Sequence, residues 1–259
     1  MRKAVYIIVF LISTVIVQAQ LEKRDSLFKL LSSAKEDTGK VMLLLHIASG
    51  YETNNQDSSI YFLEQSKKLS ERLNFRIGLY HYYEHSLIVS YTKGNYNLAL
   101  HQSDTALTLA KELKDSALII FVLGNIGIIS QYTAQFDKQL EYSLLALSMM
   151  ERLNLREKIA SMYHNIANAY DNLKQYRKSI DYCIMALDYY KKNGGKVYVN
   201  RVLASLGQAY YDMHQPDSAL YYFKQAVTES EKSGDRYAES AIYGFMANAY
   251  ADINDFREM

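Results

Sequence analysis

Leu206-Gly207-Gln208-Ala209-Tyr210, followed by Ala219, Phe223 and Ala226, decides how this chain of 259 residues folds. Small residues recur here one or two helical turns apart, with aromatic residues among them, in two successive amphipathic stretches. Outward from it the same spelling returns. Ala106, Ala146, Ala186 and Ala226 lie 40 residues apart, and so do Tyr96, Phe136, Tyr176 and Pro216. Leu87, Gly127, Ala167, Gly207 and Ala247 form a third series at that spacing, and Ala99, Gln139, Ser179 and Ala219 a fourth. A fixed period of this size marks a stacked repeat. Each unit holds two amphipathic stretches joined by polar turns such as Lys93-Gly94-Asn95 and His214-Gln215-Pro216-Asp217, and reads as a helical hairpin. Small side chains let the two helix axes approach, and Tyr170, Tyr210 and Tyr250 are expected to fill the space beside them. Pro216 suits a first helical position, where its missing N–H costs nothing, and Asp217 favours the helix dipole.

Composition agrees. The chain is 49% hydrophobic and 22% charged, with 29 basic against 28 acidic residues, one Pro, one Cys, no Trp and 24 Tyr. One proline argues against a loop-rich β-protein and for helix nearly throughout. A formal charge of +1 supplies no field that would gather nucleic acid or an anionic membrane. A single cysteine excludes an internal disulfide framework and a thiolate zinc cluster, so Cys183 is expected to be a small buried hydrophobe.

Arg2 and Lys3 precede an unbroken apolar run from Ala4 to Val17, and Val17-Gln18-Ala19 offers a cleavage site. Residues 1–19 therefore read as a secretory signal, with an uncleaved anchor as the alternative. The run is short for a bilayer, which needs roughly 20 apolar residues. The expected location is exported and periplasmic, or the outer face of the inner membrane if a downstream segment anchors the chain.

The repeat resembles the tetratricopeptide repeat, most plainly in the stretch quoted above and in Asn165-Ile166-Ala167-Asn168-Ala169-Tyr170 with Tyr176, Ser179 and Ala186. The resemblance covers about residues 40–259 and implies an all-α fold, a right-handed α-solenoid of helical hairpins. It divides the chain into a capping helix within 20–39, with Leu27, Leu30 and Leu31 on one face, a degenerate repeat at 40–73, repeats at 80–113, 120–153, 160–193 and 200–233, and the first helix of a sixth at 240–259. There are departures. Tyr163 and Leu123 stand where the family has Trp, Gln139 occupies a small-residue site, and the closing proline is missing. The period exceeds the usual 34, with Asn154 to Ile159 and Gly194 to Val199 read as inserts. Gly194-Gly195 reads as a helix stop and turn. Because the sixth unit shows only its first helix, the chain is expected to be part of a longer protein with an output domain after Met259.

His81-Tyr82-Tyr83-Glu84-His85 spells the H-x-x-E-H order of an inverted zinc-peptidase helix. The repeat register already accounts for this helix, and a hairpin stack offers no place for a third ligand, so the histidines are expected to line a groove. No nucleotide-binding, serine-hydrolase or cysteine–histidine motif is present, and the segment is not expected to be an enzyme or to hold a metal or cofactor.

By the resemblance, first helices line the concave surface. The expected groove residues are Glu84, Gln131, His164, Asn168, Asp171, Gln208, Tyr211, Asn248 and Asp252. Asn and Gln both donate and accept, so Asn168, Gln208 and Asn248 form a possible ladder for the backbone of an extended peptide. The basic clamp that some family members use for a terminal carboxylate is not matched, because His164 stands where a Lys is expected. The expected partner is a peptide or protein in the groove, with no nucleic acid, a membrane only through a downstream segment, and a homodimer possible in the full-length protein. The array resembles the periplasmic sensor region of Bacteroidetes-type histidine kinases. Its rivals are the sensor part of a membrane-anchored helix-turn-helix regulator and a free-standing envelope scaffold.

Overall fold

The computed structural model describes residues 26–155, 158–193 and 198–258, the last five of these by backbone alone. The signal segment and Gly194-Gly195 lie outside the described residues. Every regular element among the described residues is a helix. Residues 26–33 form α1. There follow α2 (Thr38–Ser49), α3 (Gln56–Arg72), α4 (Arg76–Thr92), α5 (Tyr96–Glu112), α6 (Ser116–Tyr132), α7 (Phe136–Arg152), α8 (Ile159–Asn172), α9 (Tyr176–Asn193), α10 (Val199–Asp212), α11 (Pro216–Ser233) and α12 (Arg236–Glu258). The helices fall into two compact units, one ending at Lys114 and the other beginning at Asp115. Each unit is a stack of helical hairpins of solenoid type.

The helices stop at a common signal. Asn74, Gly94, Lys114, Ala134, Asn154, Lys174, His214 and Gly234 all have positive φ, between 51° and 76°. They stand 20 residues apart, or 40 where the intervening turn lies outside the described residues. After α3, for example, the Asn74 N–H donates to Glu71 O and the Phe75 N–H to Ser70 O. After α10 the His214 N–H donates to Tyr211 O and the Gln215 N–H to Tyr210 O. This left-handed cap returns two otherwise orphaned carbonyls to hydrogen bonds. It closes turns within hairpins and turns between hairpins alike.

The long period thus comes from 17-residue helices and three-residue turns, and not from inserts. At the two stretches read as inserts, α8 and α10 instead start three residues later in the period than α4 and α6, and are 14 residues long. Asp37, Asn55 and Asp115 cap the starts of α2, α3 and α6 with their side chains, while Asn95, Gln135 and Gln215 make no such bond. Asp115 Oδ1 accepts from the Ala117 and Leu118 N–H groups at 2.9 and 3.2 Å. Pro216 sits in the first turn of α11.

In unit 1, α1 lays Leu27, Phe28 and Leu31 on a core of Val41, Leu44, Leu45, Phe62 and Leu63. Leu30, expected on that face, is 56% exposed; the docking edge runs through Phe28, whose ring lies 5.8 Å from Phe62. Residue 30 falls off the arc shared by 27, 28 and 31.

In unit 2 the small-residue series are the contact points. Ala146, Ala167, Cys183, Ala186, Ala219 and Ala226 have no exposed surface. Phe223, fully buried, contributes on the order of 2–3 kcal/mol of hydrophobic stabilisation. Tyr210 stacks on Tyr222 at 5.3 Å, and Tyr170 meets Tyr182 at 5.5 Å. Gln139, out of place in a small-residue series, is nonetheless buried, and its Oε1 accepts from Asn172 Nδ2 at 3.2 Å. Cys183 is buried as a free thiol, and burial pushes that thiol up to about 12. The exceptions to burial lie on α12, where Tyr243 and Tyr250 are 49% and 43% exposed and Ala247 is exposed.

Candidate functional site: the row of first helices

Within unit 2 the first helices touch one another across successive hairpins, α6 with α8, α8 with α10, and α10 with α12, while among the described residues no pair of second helices is in comparable contact. The first-helix side is therefore the tighter, inner side, and its side chains form one continuous row.

Two groups of predicted residues meet on this row. His164 Nε2 on α8 lies 2.9 Å from Ser205 Oγ on α10, and Ser205 Oγ donates to Asn168 Oδ1 at 3.0 Å. Desolvation, reinforced by the Arg201 guanidinium, lowers the His164 pKa to about 4. The imidazole is neutral at pH 7 and serves as a hydrogen-bonding group. Ser205 was not among the expected residues. A small hydroxyl gives no signal in sequence until its neighbours across the step are known.

The second group is acidic. Gln208 Nε2 donates to Asp212 Oδ1 at 3.1 Å. Desolvation, with the like charge of Asp212 adding to it, raises the Asp171 pKa to about 6. Tyr211 hydrogen-bonds Asp252, and that carboxylate holds its phenol above the usual range. Asp212 is the member that sequence reasoning missed.

The expected ladder is modified accordingly. Asn168 and Gln208 each spend one end of the amide on a protein partner, which leaves the Asn168 Nδ2 donor and the Gln208 Oε1 acceptor for a ligand. Gln131, near the end of α6, and Asn248, midway along α12, are exposed and join neither group.

Glu84 belongs to the other unit. There His81 Nδ1 pairs with Glu84 Oε2 at 2.6 Å, and His85 Nδ1 pairs with Glu52 Oε1 at 2.5 Å. The two rings stand 6.4 Å apart. The spelling of a zinc helix has become two separate His–carboxylate pairs. Among the described residues no group of three or more His, Cys, Asp or Glu is placed to hold a metal ion.

Residues 158–231, which span α8 to most of α11, match the tetratricopeptide repeat family. These hairpins are tetratricopeptide repeats. Solved structures agree on the fold at low sequence identity. The signal-transduction ATPase with numerous domains and a tetratricopeptide repeat sensor, from Pyrococcus horikoshii, is 21% identical with a TM-score of 0.74 over 90% of this chain. The match spans only 37% of that protein's length. Apo RapI is 16% identical, TM-score 0.72, with 85% of each chain covered. A Rap protein complexed with competence and sporulation factor is 14% identical, TM-score 0.61, covering 92% of this chain and 78% of the other. No curated protein matches the chain in sequence.

One part of the tetratricopeptide row escaped the sequence reading altogether. Between α6, the end of α7 and α8 lies an open cavity of about 660 Å³ with largely apolar walls. Its signal was present in α6, whose stretch Ala117–Ile129 is apolar almost all round. A helix of that kind on a stack with one solvent-facing side must show apolar groups on that side. Phe121 and Ile128 do so, at 36% and 37% exposure. No described helix is long and apolar enough to cross a membrane.

Proposed function

We propose that this chain is an exported interaction module whose tetratricopeptide inner row holds an extended peptide or protein segment, and that it is the sensing segment of a signal-transduction protein of the two-component histidine kinase kind. The observation that carries the binding reading is the inner row of unit 2. Neutral His164, Ser205, Asn168 and Gln208 come from two successive first helices, and their mutual bonds leave the Asn168 Nδ2 donor and the Gln208 Oε1 acceptor unspent. Such groups suit the alternating N–H and C=O of an extended backbone.

The sensing reading draws on the relatives. One carries a tetratricopeptide repeat sensor within a signal-transduction ATPase, and another was solved with competence and sporulation factor bound. Export rests on Arg2, Lys3 and the apolar run to Val17.

Binding is tested by selecting displayed random peptides on the whole chain. Peptides enriched on the parent and lost on an Asn168→Ala, Ser205→Ala double variant support it; a parent that enriches no peptide ends it. The signalling limb is tested at the locus. An apolar span and a kinase domain encoded in frame after Met259 support it, a helix-turn-helix there moves the chain to a regulator, and a stop that closes the hairpin makes it a scaffold. Alkaline phosphatase fused after Glu258, active only when exported, tests the leader.

A further inference from the structure

The place that His164 holds on α8 is taken on α6, 40 residues earlier, by Gly124. At the step from α8 to α10 the imidazole fills the gap between first helices and reaches Ser205. At the step from α6 to α8 glycine offers no side chain, and the 660 Å³ cavity opens there against Ile120, Phe121, Ile128, Met150, Leu155 and Met162. That volume falls in the range of about 300–1,000 Å³ typical of ligand sites. The same register carries Ala204 on α10 and Gly244 on α12, so His164 is the one bulky side chain at it in this unit, and the gap lies where α6 has none to match it.

We infer that this cavity receives a bulky aliphatic or aromatic side chain of an extended peptide, with a carboxylate of the same peptide beside it. Three features fix that occupant, given the peptide-binding reading above on which the inference rests. The walls are apolar and rise on three helices, which suits a bulky apolar group and disfavours a charged one. The wall residues Gly124 and Ile128 hold the places on α6 that His164 and Asn168 hold on α8, so an apolar group seated there arrives on a backbone that continues along the row. Among the described residues of the wall, Lys158 is the one that carries a charge, and it is exposed. Charge complementarity therefore selects an acidic residue or a terminal carboxylate next to the apolar one.

The cavity can be filled without disturbing the helix. A Cβ added at Gly124 would lie 3.6 Å from Met162 Cε, an ordinary contact. Gly124→His copies the residue that the next repeat already accommodates, and removing a glycine from a helix interior favours folding.

The test is the peptide selection run in parallel on the parent, Gly124→His and Lys158→Glu, with thermal unfolding of each. The parent is expected to enrich peptides sharing a bulky apolar residue with an acidic group within two positions. Gly124→His is expected to unfold no lower than the parent and to bind a chosen parent-selected peptide about tenfold or more weakly, the loss that follows from leaving one large apolar side chain unburied. Lys158→Glu is expected to lose the acidic preference and keep the apolar one. Enriched peptides without a shared apolar residue, or equal binding by Gly124→His, overturn the inference and leave the groove reading standing. An unchanged acidic preference in Lys158→Glu overturns the carboxylate part. A parent that enriches nothing overturns the groove reading itself.

Discussion

Gly207 on α10 and Phe223 on α11 approach so closely that a Cβ on Gly207 would lie 2.6 Å from two ring carbons of Phe223 and 3.2 Å from the Ala219 carbonyl. The phenyl ring is fully buried and has no room to retreat. Gly207→Ala is expected to destabilise the chain by about 1–3 kcal/mol, overpacking outweighing the gain in helix propensity. Denaturant unfolding would read it, and Phe223→Leu in the same chain should recover part of the loss. A Gly207→Ala variant as stable as the parent would remove close packing as the reason for glycine there.

Ala134, Lys114, Lys174 and His214 hold a left-handed backbone conformation that costs a residue with a Cβ about 1 kcal/mol. Ala134→Gly is expected to stabilise by about 0.5–1 kcal/mol, and Gly94→Ala, where φ is 76°, to destabilise by a similar amount. Matched thermal melts of the two variants give opposite signs if the turn backbone is the cause.

His164 and Asp171 set opposing pH dependences. A histidine whose folded pKa is lowered to about 4 gives up stability as pH falls from its unfolded value near 6.5 toward 4. An aspartate whose folded pKa is raised from 3.8 to about 6 does the reverse, because the folded chain holds the proton longer and loses stability as pH rises through that window. Between pH 4 and 6 the two slopes offset each other. Asp171→Asn should therefore expose a stability that rises with pH, and His164→Gln one that falls with pH. Each is worth about 1–2 kcal/mol across the window once partial exposure is allowed for. Chemical denaturation at pH 4, 5, 6 and 7 measures this, and parallel pH profiles for the two variants would contradict it.

Cys183, buried and with its thiol held at about 12, is expected to resist thiol reagents in the native state. Its labelling rate should follow opening of the hairpin of α8 and α9, rising with urea well before the reagent becomes limiting. Fast labelling in buffer would mean that this hairpin opens readily.

The fold was legible because a crossing of two helices tolerates few residue types, and those types recur at 40. Ala146, Ala186, Ala226 and Gly207 announce the contact points before any coordinates are known. The 20-residue turn rhythm was not legible. Asn74, Lys114, Ala134 and His214 share a backbone conformation imposed by two hydrogen bonds, with no common side chain to read. The inner row was half legible: the resemblance to the tetratricopeptide repeat put His164, Asn168 and Gln208 on one face, while Ser205 and Asp212, which hold them, depend on the offset between neighbouring helices. Leu30 was misplaced because a helix of two turns is too short to average out its arc. The cavity was hidden for a simpler reason. Gly124 lies outside the repeating series and carries no signal until its counterpart His164 shows what that position can carry.

The turns repeat twice as often as the side-chain series. To the backbone, α6 and α7 are interchangeable, since both run for 17 residues and each ends in the same cap 20 residues after the last. A slip or deletion of one helix would leave every turn intact and carry each inner helix after it to the outer side. Where helix lengths match, discrimination against that error falls to side-chain pairs such as Gly207 with Phe223, which tell odd helices from even ones.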